Sequence, residues 1–231
     1  MIYDDFIIQG QNELRAFYGP YFDTAEGLED FLYDALDYEY GSLERRQMLY
    51  QVQRFVTLAN DIEKLRPGRD CLRMLFIRIC LESLCTLSNY SGKQKDDFFK
   101  AFVDSFSEEG KLYTLDNFEL ICFEDEYMGH VFQAHHSIDM LDFMEIIREV
   151  RHQVVHEGVY WDMQFFAYDD DSRWVSTLET SSKILKSYAY HGKGKRTTVY
   201  TFATTLKYKR FIYYFVEACV NFIRNVAPSR L

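Results

Sequence analysis

Proline is scarce in this chain: Pro20, Pro67 and Pro228 are the only three in 231 residues. So few breakers leave room for long helices. The five cysteines, Cys71, Cys80, Cys85, Cys122 and Cys219, are odd in number and form no CxxC pair. Neither a disulfide scaffold nor a zinc ribbon fits that spacing, and reduced, buried thiols in a cytoplasmic protein are expected. Basic excess is also lacking. The net charge is -10, which argues against a sequence-independent DNA binder relying on a basic surface. No apolar run approaches the ~18 residues of a membrane span, so no membrane association is expected. The opening residues, Met1 to Asp5, lack the basic region of a signal peptide. Internal repeats and low-complexity tracts are missing too.

What is present is apolar bulk. The chain is 48% hydrophobic and 17% aromatic, enough for the core of one domain over 1–231. Charge is uneven. Residues 1–45 hold eleven acids against Arg15 and Arg45, and 180–216 hold no acid at all. Such asymmetry suits an anionic partner for one face, or two halves that attract each other.

Hydrophobic periodicity predicts helices over 3–18, 25–39, 43–65, 69–89, 94–106, 137–158 and 206–226. Residues 1–42 read as an acidic helical elaboration. Leu43, Tyr50, Phe55, Leu58 and Ile62 are the expected core side of the third helix. The fourth is nearly all apolar and should be central. The weakly periodic segment 107–136 reads as loop with one or two short helices. Residues 159–205 read as a β insert, in which Ile184–Tyr190 and Thr197–Thr205 form a hairpin around a glycine loop. The fold class is therefore mainly α: a helical bundle with a small antiparallel β insert before the last helix.

One helix conflicts with its own pattern. At about 100° per residue, Met140, Phe143, Met144, Ile147, Val150, Val154 and Val155 share a broad face, with Arg151 near its middle. A guanidinium cannot shed its proton to escape burial. It must find an anion, reach outward or line a cleft. His152 and His156 follow on the shoulder, one turn apart.

Arg151-His152-x-x-x-His156 resembles the R-x4-6-H motif of the HEPN superfamily. These helical bundles include metal-independent ribonucleases of toxin–antitoxin, CRISPR-associated and phage-defence systems. The resemblance covers about 43–158 and the last helix. It departs from one toxin class, which carries tyrosine where Gly158 stands here. It implies a homodimer whose motif helices meet in one cleft, with RNA as substrate, no cofactor and no metal, and a protein antitoxin as a candidate partner. Arg151 would stabilise charge on phosphorus, His156 would move protons, and His152 would orient the site or bind phosphate.

Plainer readings stand beside these. Arg151 can pair with an acid inside its own bundle. His152 can be an ordinary solvated side chain, and His156 can answer the helix C-terminus. The family alternative is a non-catalytic dimerisation or nucleotide-binding module. A zinc hydrolase is the weaker third option, because no HExxH occurs. Lys186, Lys193, Lys195 and Arg196 interleave with Tyr188, Tyr190, Tyr200 and Phe202 as an RNA-binding surface would. A hairpin with one face packed on the bundle would produce the same alternation.

Overall fold

Helices laid down by the breakers account for most of the chain. A computed structural model describes residues 2–36, 43–88, 95–125, 130–136, 138–158, 163–166, 173–180 and 198–225. Helix α1 (Ile2–Tyr18) stops at Gly19-Pro20, which open a single 3-10 turn. Helix α2 (Ala25–Leu36) starts where Thr24 Oγ1 accepts from the Gly27 amide at 3.1 Å. Helix α3 (Leu43–Leu65) and helix α4 (Asp70–Leu87) form an antiparallel pair. They join through Pro67-Gly68, where Gly68 takes φ 70°, a left-handed conformation that favours glycine. Helices α5 (Lys95–Asp104) and α6 (Glu108–Asp116) follow, the second capped by Ser107.

Next come strands β1 (Phe118–Asp125) and β2 (His130–His136), helix α7 (Met140–His156), strands β3 (Trp174–Thr180) and β4 (Thr198–Thr204), and helix α8 (Tyr208–Asn225). The sheet is antiparallel, ordered β2-β1-β4-β3. The fold is thus mainly α, with a small antiparallel sheet completed before the last helix.

Two strand expectations need correction. The segment expected to be loop after the short helix α6 supplies β1 and β2. The β insert after residue 158 is therefore only half of the sheet. Strand β4 finds its described partners elsewhere. That strand is already bonded on both sides, to β1 (Phe118 opposite Thr204) and to β3 (Trp174 opposite Thr204). A strand has only two edges to offer. The segment 184–190 itself lies outside the described residues.

Helix α8 runs through the centre, with Phe211, Phe215, Ala218, Cys219 and Phe222 buried. Phe102 meets both Phe215 and Phe222, with ring centroids 5.8 Å apart in each case. Phe118 of β1 packs on Phe143 of α7 at 5.2 Å, and Phe143 on Phe211 at 5.7 Å. One continuous core therefore joins sheet, α7 and α8. The buried side of α3 is Met48, Leu49, Val52, Val56, Ala59 and Ile62. Of the expected set only Ile62 is fully buried; Leu43, Tyr50 and Leu58 face outward. Cys71, Cys80, Cys85 and Cys219 are buried.

Candidate functional site

Helix α7 presents the motif, and its start is fixed locally. The Asp139 carboxylate accepts from the Asp142 amide at 2.8 Å, and Asp142 reaches back to the Asp139 amide. This reciprocal cap satisfies two orphan donors. At the other end the helix stops at His156, and Gly158 takes φ 68°.

The buried face of α7 is rotated from the sequence expectation. Val155 is 49% exposed, whereas Ile146, Glu149 and Gln153 are buried. Arg151 consequently sits on the edge of the packed face, not at its middle, with 31% of its side chain exposed. Gln153 is tied to the sheet: its Nε2 donates to the backbone carbonyl of Glu179 in β3.

Across from Arg151 lies α4. Glu82 stands between two arginines there. Its Oε1 accepts from Arg78 Nε at 3.2 Å, and its Oε2 is 3.8 Å from Arg151 Nη2. The second separation is an ion pair without a hydrogen bond. Arg151 Nε is buried and has no hydrogen-bond partner among the described residues. Arg78 is deeply buried and lies over the Phe99 ring at 4.6 Å. Burial pulls its guanidinium below the usual range, while Glu82 and Glu145 hold it charged. Arg148 pairs with Glu145 at 2.8 Å. Arg78, Arg148 and Arg151 thus share this corner with Glu82 and Glu145, and the buried Glu149 lies one turn from Glu145 on α7. A cavity of about 370 Å³ opens beside Glu82, between Gln51 of α3 and Ser83 and Thr86 of α4.

His152 and His156 are both exposed, and their rings lie 4.7 Å apart at an angle of 47°. They sit on the solvent side of α7, away from its packed face. The structure therefore places Arg151, His152 and His156 on one helix, Arg151 toward α4 and the two histidines toward solvent. Lys186, Lys193, Lys195 and Arg196 lie outside the described residues, as do Tyr188 and Tyr190. Tyr200 and Phe202 face the core.

Glu82 and Arg78 were missed by sequence reasoning. Their signal was available: an Arg–Glu pair at i, i+4 inside an otherwise apolar helix. Arg151 does meet an acid of its own bundle, but that acid is Glu82, not a neighbour on α7. Among the described residues, no three His, Cys, Asp or Glu side chains gather as metal ligands would. No described helix is long and apolar enough to cross a membrane. The chain matches no protein-family model, no curated protein and no solved structure.

Proposed function

We propose that the protein is a HEPN-type, metal-independent endoribonuclease with a toxin or phage-defence role, working as a homodimer. One observation carries the reading. Arg151 is held beside Glu82 without a hydrogen bond, keeps an Nε with no partner among the described residues, and shares its helix with two exposed histidines. A guanidinium so placed can exchange a weak internal partner for a phosphate.

His156 takes the proton of the RNA 2′-hydroxyl. The 2′-oxygen attacks the adjacent phosphorus, and Arg151 stabilises the charge on the phosphorane oxygens. The bond to the 5′-oxygen breaks, leaving a 2′,3′-cyclic phosphate. The departing oxygen takes a proton from the equivalent histidine of the second protomer. His152 orients the phosphate.

A second reading has its own support. The Glu82–Arg151 ion pair within one protomer suits a non-catalytic interaction module. Purified protein incubated with RNA in excess chelator separates the two. Cleavage to cyclic-phosphate ends, with 2′-deoxy substrate resistant, is the expected result. Intact RNA would favour the module.

A further inference from the structure

The last turns of α7 carry His152 and His156 at i, i+4, a spacing that sets side chains side by side on one strip of a helix. Their ring centroids are 4.7 Å apart and the ring planes are inclined at 47°. Both residues are exposed, and neither has a hydrogen bond or an ion pair among the described residues.

That separation is close to what a shared metal ion requires. Two imidazole nitrogens about 2 Å from one tetrahedral zinc lie about 3.3 Å apart, with their ring centroids about 5 Å apart. The pair is also held in advance of any ligand. Both rings rise from one helix whose start is capped by Asp139 and whose Gln153 is tied to β3. Nearby charge is balanced. Arg148, one turn before His152, pairs with Glu145 at 2.8 Å, and Arg151 is turned toward Glu82 on α4. The exposed Glu157 follows His156, in a chain of net charge -10. Two ligands are fewer than the four of a structural zinc site. They suit a labile ion whose other positions hold water.

We propose that His152 and His156 form a chelating site for a divalent transition ion, zinc or copper. Imidazole suits these ions, whereas magnesium and calcium take oxygen ligands. The chelate stands without any catalysis. Its consequence rests on the nuclease reading: a ring nitrogen bound to metal has no lone pair for a proton, so the ion would inhibit His156. It would act as a brake, not as a cofactor.

Zinc chloride titrated into the full chain in a calorimeter should bind saturably, and magnesium chloride should not compete. Copper bound to the chain should show nitrogen coupling in its electron paramagnetic resonance spectrum. His152→Ala and His156→Ala should each weaken zinc binding by about 10²-fold, because a single ring loses the chelate effect. Both positions are exposed on a helix that alanine favours, so the variants fold. In an RNA assay, zinc should stop cleavage, chelator should restore it, and the residual cleavage by His152→Ala should resist zinc. Zinc affinity unchanged in either variant would place the ion elsewhere and overturn the proposal, as would a copper spectrum without nitrogen coupling. Cleavage that continues at saturating zinc would overturn the brake. Zinc bound through both histidines in a chain that cleaves no RNA would uphold the chelate and remove the nuclease reading alone.

Discussion

Glu82 decides how freely Arg151 can act. It neutralises Arg78, which is buried, and only loosely engages Arg151. Glu82→Gln should therefore lower stability by about 1–2 kcal/mol, because Arg78 loses its charged partner while Glu82 itself is partly solvated. Urea denaturation of the variant measures this. An unchanged midpoint would mean that Glu145 and the contact with Phe99 suffice for Arg78. On the chemical side, Arg151→Ala and His156→Ala should each cost about 10²–10⁴-fold in RNA cleavage with the helical circular dichroism retained. His152→Ala should be milder. Wild-type activity should persist in chelator. A double Arg151→Ala, His156→Ala variant that cleaves at the wild-type rate would end the mechanism. The arginine–histidine motif was readable from spacing and residue chemistry. Glu82 was not read, because its role appears only when α4 and α7 are packed together.

Helix α7 holds its register through three local devices: the Asp139 cap, the Gln153 bond to β3 and the glycine stop. Loss of the cap in Asp139→Ala should cost about 1 kcal/mol. Gly110 offers a sharper test of packing. A Cβ there would lie 3.0 Å from Tyr214 Cβ and 3.2 Å from Ser107 Oγ. Gly110→Ala should wedge α6 from α8 and cost about 1–3 kcal/mol, seen as a lower urea midpoint. A neutral substitution would show that α6 can shift without loss. Most helix limits were legible because Gly19-Pro20, Pro67-Gly68 and Gly158 punctuate strong apolar periodicity. The face of α3 was misjudged because its larger side chains, Tyr50 and Leu58, point outward while small ones such as Ala59 point inward. Strands β1 and β2 were hidden by their composition. Glu124, Asp125 and the histidines of β2 weaken the alternation, and the second partner of β1 is β4, far along the chain.

The whole molecule should show its buried phenols at high pH. Burial pushes Tyr21 up to about 12 and raises Tyr18 and Tyr208 as well. Unfolded tyrosines ionise near 10, so above that pH the unfolded chain releases protons that the folded chain retains. Stability is therefore full below about pH 10 and declines as pH rises from there. A series of urea titrations should show the midpoint falling with alkalinity; a flat profile would mean that these rings ionise freely in the native state. Assembly is the other test at this scale. The composite-site mechanism needs two motif helices at a common axis, so sedimentation should report a dimer at micromolar concentration. A strict monomer would leave the Arg151–Glu82 pair as an internal structural contact.

The place of α7 between the two halves of the sheet has a consequence in time. During synthesis the motif helix is complete once residue 156 has emerged, but β3 and β4 follow only later. Until they do, Gln153 has no β3 carbonyl to bond, and β1 lacks the second strand that pairs with it from Phe118 to Asp125. Pairing residues this distant in sequence is intrinsically slow. Phe143 likewise waits for Phe211, beyond the last strand. A nascent chain therefore carries Arg151 and both histidines before it has the scaffold that fixes them. Under the proposed nuclease function, that order would tie activity to the finished domain and would protect the ribosome-bound message from the chain it is still encoding.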